Sequence, residues 1–472
     1  MRNDASLFRS LVEYPGMLTS LILFILPYER LYVMSESRLK NSVLLRMFLV
    51  GALSLLLLIP TFMVELLIVE RQQRHVEAID EVSRSWGGSQ TLTGPVLTIP
   101  YTIHNENREG TIVTSKQYLH ILPKELSVNS TITPSIRYRG IYEIVLYNTQ
   151  SKLTGEFSLA NLGDFKIPEK DLLLEEAFVT MGISDLTGIK NSPTLGWESS
   201  ELQPTPGVRS TDVISSGITF SPEISASNQL YKFSLQIHLN GTSGFQVVPT
   251  GKETTVKMSS SWGAPSFIGS YLPETREVSE KGFEAVWNVL DLNRNFPQII
   301  AGSATTISGN SFGVKLMIPV DEYQKTERTV KYAIMFIALT FLAYFLIEVI
   351  GKTILHPIQY VLVGLALVLF YILLLSISEH SSFNMAYFIS GGSIIMLISA
   401  YTKRITRSVK IMGLMFSVLL TLYGFLYVVL QLEDYALLLG SIGLLLVLGV
   451  VMYLTRKIDW FSLRSSESSG TK

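Results

Sequence analysis

The chain has 472 residues, 38 Lys and Arg against 39 Asp and Glu, 47% hydrophobic residues, only 16% charged residues and no cysteine. Soluble domains carry about 25% charged residues, so the shortfall, with a mean hydropathy of +0.34, argues for a membrane protein. Balanced charge excludes a nucleic-acid binder that works through a basic stripe, and the lack of cysteine excludes disulfides, thiolate metal sites and cysteine catalysis.

The first apolar run, residues 17–26, is too short to span. No small-residue cleavage site follows it, and Pro27, Glu29 and Arg30 interrupt it, which excludes a signal peptide. It reads either as an interfacial helix or as sequence upstream of a true start at Met34. Residues 47–69 form the first run long enough to cross a bilayer, with Pro60 predicting a kink inside it. Five more runs follow a long gap, at 332–350, 358–377, 383–400, 411–430 and 436–454. The predicted division is a segment 1–42, a span within 43–69, a body over 70–330, a five-helix bundle over 331–456 and a Ser-rich tail over 457–472.

Lys and Arg set the orientation. Arg38, Lys40 and Arg46 precede span one, Lys352 follows span two, Lys403, Arg404, Arg407 and Lys410 lie between spans four and five, and Arg456, Lys457 and Arg464 follow span six. The alternate short loops carry Glu379, His380, Glu433 and Asp434. Both termini are therefore expected in the cytoplasm and the body outside, with Arg71 and Arg74 opposing the rule but outweighed.

Between Glu70 and Glu327 there are 28 acidic and 21 basic residues. Val76, Ile79, Val82 and Trp86 recur at helical spacing and extend the span-one helix until Gly87-Gly88 stops it. The period then changes toward two in 91–103, 135–149, 232–239, 254–262 and 312–320, segments rich in Val, Ile, Thr, Tyr and Phe. Short strands without helical patterns between them predict an antiparallel, all-β, sandwich-like body. The Pro/Gly/Ser-rich stretch 191–210 is read as a lobe boundary or an exposed loop, and no internal repeat is visible. The expected fold class is a membrane protein of six transmembrane helices, one plus five, with this body on the outer side of the membrane.

Catalytic patterns fail on context. Gly309-Asn310-Ser311-Phe312-Gly313 fits G-x-S-x-G, but a strand-like segment follows where the nucleophile elbow needs a helix. Gly244 to Gly251-Lys252 is two residues too long for a P-loop, and Glu253 replaces its hydroxyl. The six histidines include no pair at metal-ligand spacing, so neither a metal nor a cofactor is expected. Intramembrane ionisables carry more weight, because burying a charge in lipid is costly. Glu348 is expected to pair with Lys352 one turn on, and Glu65 reads as an interfacial carboxylate. Glu379 and His380 end span three as a solvated helix end or a proton-linked pair. Tyr332, Tyr360, Trp460 and Phe461 read as anchors in the membrane-interface belt. Trp197, Trp262 and Trp287 read as core, unless exposed for a partner.

Several long, ordered stretches carry a resemblance. They are LLLLIP (55–60), IVER (68–71), TGPVLTIP (93–100), RGIY (139–142), SSWGAPSFIGSYLP (260–273), REVSEKGFEAVW (276–287), DEYQKTERTVKYAI (321–334), LHPIQYVLVGL (355–365), LLLSISEH (373–380) and KIDWF (457–461). With them the chain resembles the CreD-type inner membrane proteins, also called cell envelope integrity proteins, from about Leu39 to Phe461. The resemblance implies one span, a large periplasmic domain and a membrane bundle. It further implies a link to a two-component regulatory system and to envelope maintenance, including β-lactam and colicin responses. It implies no catalytic residue.

Two functions compete. The first is a non-enzymatic envelope protein whose β-rich body binds a periplasmic protein or envelope component, with the bilayer as its other partner and no nucleic acid. The second is a membrane-embedded transporter or enzyme acting on a lipid-linked substrate, for which Glu348, His356, Glu379 and His380 are the candidate residues.

Overall fold

A computed structural model describes residues 43–106, 112–160, 167–225, 228–302, 307–318, 322–351, 355–432 and 435–456. The expectations for residues 17–26, Met34, Lys352, Glu433, Asp434, Lys457, Trp460, Phe461 and the Ser-rich tail lie outside these residues. Two compact units emerge. One is helical, built from the chain up to Ile68 and from Glu322 onward; the other, Val69–Asp321, is β-rich.

The helical unit begins with α1 (Val43–Leu56) and α2 (Leu58–Trp86). The helix is interrupted only at Leu57, where the Thr61 amide still reaches the Leu57 carbonyl at 3.3 Å. Pro60 explains the break: it cannot donate to the Leu56 carbonyl four residues back, and its ring crowds that carbonyl. Then come α3 (Glu322–Lys331), α4 (Ala333–Gly351), α5 (Pro357–Ser378), α6 (Phe383–Thr406), α7 (Val409–Gln431) and α8 (Ala436–Thr455). Helices α3 and α4 meet at a 45° bend. Among the described residues five helices are long and apolar enough to cross a membrane, or six if that bent pair is one span.

Ser382 and Ser408 cap α6 and α7 by accepting from the Met385 and Ile411 amides. The unit's core joins Leu57, Val64 and Ile68 of the first helices to Phe341, Leu367 and Tyr423 of the later ones. At Gly364 a Cβ would sit 2.0 Å from Leu57 Cδ1, so the glycine lets the first helix approach α5. Helix α8 is peripheral, with Leu437 87% exposed.

In the β-rich unit the C-terminal part of α2 lies against β4 through Ala78, Ile79, Val82 and Trp86, which pack on Ile144 and Leu146. His75 stacks on Tyr142 at 5.3 Å, and Ser83 shares a 2.7 Å hydrogen bond with Thr242. Val76, expected on this face, is instead 46% exposed; the face runs through His75 before it and Ala78 after it. Gly87 ends the helix with φ +119°, where a Cβ would meet the Asn240 carbonyl at 2.8 Å.

The strands in chain order are β1 (Gln90–Glu106), β2 (Ile112–Ile121), β3 (Glu125–Arg139), β4 (Tyr142–Ser158), β5 (Phe178–Ile183), β6 (Thr194–Trp197), β7 (Ser200–Leu202), β8 (Thr205–Pro206) and β9 (Gly217–Phe220). They continue as β10 (Leu230–Thr242), β11 (Gly244–Val248), β12 (Glu253–Ser260), β13 (Pro265–Gly269), β14 (Thr275–Ser279), β15 (Gly282–Leu290), β16 (Ile299–Ala301) and β17 (Phe312–Leu316). They form a nine-stranded sheet, β13-β17-β11-β1-β5-β9-β8 with β2 also paired to β1 and β16 to β2, and an eight-stranded sheet, β14-β15-β12-β3-β4-β10-β6-β7. In β10, Tyr231, Phe233, Leu235, Ile237 and Leu239 alternate inward and join a core fed by both sheets.

Several expectations need correction. The sheets are mixed rather than wholly antiparallel, because β1 pairs parallel with β11 and β3 with β12. Residues 135–149 are not one strand but the β3–β4 hairpin, turning at Gly140 with φ +62°. Stretch 191–210 is neither boundary nor plain loop; its short strands cross from the eight-stranded to the nine-stranded sheet. A repeat does exist, in topology: β5 flanks β1 as β17 flanks β11, and β4 flanks β3 as β15 flanks β12. Glu125 and Glu253 stand in register across the parallel pair.

Candidate functional site

Lipid forces a buried carboxylate to find partners, because an unpaired charge in hydrocarbon costs several kcal/mol. Glu348 on α4 is 4% exposed. Arg46 on α1 donates from Nη1 to its Oε1 at 2.8 Å. Tyr360 on α5 donates its hydroxyl to Oε2 at 3.0 Å. Beside this triad Tyr344 on α4 shares a 2.5 Å hydrogen bond with Thr402 on α6, and the Thr402 hydroxyl donates to the Ile398 carbonyl at 2.7 Å. The Tyr360 ring meets Phe341 and Tyr344 edge-on at 5.4 and 6.1 Å. Two polar links thus tie α1, α4, α5 and α6 together at one end of the helical unit.

The local sequence builds this end. His356 is the N-cap of α5: its Nδ1 accepts from the Ile358 amide at 3.3 Å, while Gln359 Oε1 accepts from the His356 amide at 3.0 Å. Pro357 occupies the first helical position, where its missing N–H is harmless. One turn later Tyr360 enters the core. The stretch LHPIQY is therefore a helix start that aims a phenol at Glu348, and His356 is exposed and employed as a cap.

The four candidate residues do not form one site. His356 precedes and Glu379 and His380 follow the 22 residues of α5, which places the two ends about 33 Å apart. His380 is exposed and Glu379 is the C-terminal cap residue of α5. The partner of Glu348 is Arg46, 302 residues away in the chain, and the expected partner Lys352 lies outside the described residues. Tyr360 is not a belt anchor: at 4% exposure it is part of the core. Beside the triad is a crevice of about 10 Å³ lined by Tyr344, Leu355, Gln359, Tyr360, Val363 and Ile405, no larger than one water. The arrangement suits a clamp between helices.

In the β-rich unit, Trp197 and Trp287 are core at 4% and 0% exposure, and Trp262 donates its indole N–H to the Met317 carbonyl at 2.9 Å. Ser311 follows a single helical turn and precedes β17, the reverse of a nucleophile elbow. The open feature is a groove of about 490 Å³ where the β14–β15 hairpin leaves the eight-stranded sheet, lined by Glu277, Val278, Ser279, Lys281, Phe283 and Glu284 among others. Every residue of β14 is exposed, and among the described residues no strand pairs with its outer edge.

The family described as Inner membrane protein CreD matches residues 42–461. The chain is also 33% identical over 428 residues to the inner membrane protein CreD of Escherichia coli (strain K12), covering 89% of this chain and 94% of that protein. The chain belongs to the CreD family. Membership agrees with the several apolar helices and the large β-rich unit, and the family match takes in the whole Arg46–Glu348–Tyr360 clamp.

Proposed function

We propose that this CreD-family chain is a six-span inner membrane protein with both termini in the cytoplasm and the β-rich unit in the periplasm, where it binds an envelope component. The role is envelope integrity rather than catalysis, linked to a two-component regulatory response of β-lactam or colicin tolerance. The observation that carries the binding reading is the groove at the β14–β15 corner with its fully exposed edge strand. An unpaired strand edge offers a row of backbone donors and acceptors to an extended partner. The transporter reading draws less support, since both oxygens of Glu348 are engaged and its companions lie at opposite ends of α5.

The test is photo-crosslinking in cells from Val278 and Glu280, followed by mass spectrometry. A reproducible periplasmic protein or glycan adduct, absent from a probe at the remote, exposed Leu230, is the expected result. Equal labelling from all three positions, or no adduct in a well-expressed protein, overturns the binding reading.

A further inference from the structure

The outer face of the nine-stranded sheet is closed by an irregular strap, residues 207–216, between β8 and β9. Ile214, Val208 and Val213 of the strap pack on Val96, Leu122, Val248, Phe296 and Ile300, a cluster separate from the main core. The strap is pinned at its ends: the Gly207 carbonyl accepts from the Thr219 hydroxyl at 2.8 Å, and the Ser216 carbonyl accepts from the Ile183 amide at 3.1 Å. Its middle is held by one titratable contact. Asp212 Oδ2 lies 3.3 Å from His120 Nε2, and Ser210 donates its hydroxyl to the same oxygen at 2.8 Å.

His120 is 2% exposed. Its other nitrogen, Nδ1, is 2.9 Å from the Thr98 hydroxyl of β1, directly opposite in the strand register. A neutral imidazole satisfies both contacts: Nε2–H donates to Asp212 and Nδ1 accepts from Thr98. Protonation turns Nδ1 into a donor, forces the Thr98 hydroxyl to turn and accept, and creates a cation on a buried side chain. Around it stand Tyr118 on its own strand, the buried Ile300 of β16 and Thr98 of β1, and the half-buried Ser210 and Asp212 of the strap. Asp212 is the charged group that acts on the imidazole; the Arg209 guanidinium of the strap lies instead over the Phe178 ring.

We propose that residues 207–216 are an acid-released strap, with His120 as the protonation site and Asp212 as the latch, whose opening uncovers the apolar outer face of the nine-stranded sheet. Burial holds the imidazole below its usual value of 6.5 against the opposing pull of Asp212. An opened strap returns His120 to water, so opening is favoured as pH falls below 6.5 and gains at most about tenfold per pH unit.

The test is hydrogen exchange of the full chain in lipid nanodiscs from pH 7.5 to 5.0, corrected for intrinsic rates. Peptides covering 207–216 should open up to about tenfold more per unit below 6.5, while peptides from β10 stay unchanged. His120→Gln should remove the pH dependence; Asp212→Asn should keep it and start from a more open strap. If His120→Gln fails to fold, Asp212→Asn decides alone. A wild-type strap indifferent to pH, an unchanged response in His120→Gln, or a response lost in Asp212→Asn overturns the proposal.

Discussion

Removing one member of the Arg46–Glu348 pair should cost far more than removing both. Glu348 is 3% exposed at its side chain and Arg46 26%. Breaking a buried ion pair typically costs about 3–5 kcal/mol, because the survivor is left uncompensated, whereas apolar replacement of both is close to neutral. Arg46→Met strands the more deeply buried partner, so about 3–4 kcal/mol is expected. Glu348→Leu leaves a guanidinium that already touches water, so its cost should sit at the lower end, about 3 kcal/mol. The double variant Arg46→Met/Glu348→Leu should lie within about 1 kcal/mol of wild type, giving a coupling of about 3 kcal/mol or more. Reversible unfolding of the full chain in mixed micelles with increasing SDS fraction measures all four corners of the cycle. Additive single effects, or an Arg46→Met cost under about 1 kcal/mol, would refute the clamp.

Tyr360→Phe removes one hydrogen bond to a charged oxygen and should cost about 1.5–3 kcal/mol in the same assay, whereas Tyr332→Phe should change little. Gly364→Ala drives a methyl into Leu57 Cδ1 at 2.0 Å; a loss of about 1–3 kcal/mol is expected from overpacking, largely recovered by adding Leu57→Ala. Trp287→Ala, at 0% exposure in the β-rich core, should lower stability by about 3–5 kcal/mol, read by thermal unfolding. At Asp185, burial opposes ionisation, but the Gly88 and Thr187 amides at 2.7 and 2.9 Å outweigh it and hold the carboxyl below 3.8. That contribution is present above 3.8 and fades as pH falls through the lowered value. Asp185→Asn should therefore cost about 1 kcal/mol at pH 7 and flatten the acid limb of a thermal-unfolding pH series.

The long apolar helices were legible because composition alone sets them: a bilayer admits such helices and little else. Pro60 foretold a disturbance, and the break falls at Leu57, on the N-terminal side where the lost hydrogen bond lies. Helix α3 escaped because its sequence, EYQKTERTVK, is as polar as a loop. Gly140 announced the β3–β4 turn, but β-forming residues on both sides masked it. The parallel pairs β1/β11 and β3/β12 unite strands more than 100 residues apart, and no local pattern encodes such pairing.

For the site, Glu348 stood out as an ionisable group inside a span, yet its partner did not. Arg46 looked like any positive-inside residue, and only folding brings it across 302 positions. Tyr360 was misread because Tyr at a helix end suits both the interface belt and the core. His356 was explicable from sequence: Pro357 at the first helical position and Gln359 two residues later mark a helix start. His120 gave no signal at all, since its importance rests on a strap contributed from 92 residues away.

The measurement that bears most directly on the account is the sidedness of the two units, and a chain without cysteine invites it. Single cysteines at Ser279 on β14 and at Arg404 in the last turn of α6 would be exposed to a membrane-impermeant maleimide in cells with a permeabilised outer membrane. The account predicts that Ser279→Cys labels at once and Arg404→Cys only after the inner membrane is lysed. Labelling of Arg404→Cys in intact spheroplasts, or protection of Ser279→Cys until lysis, would contradict it.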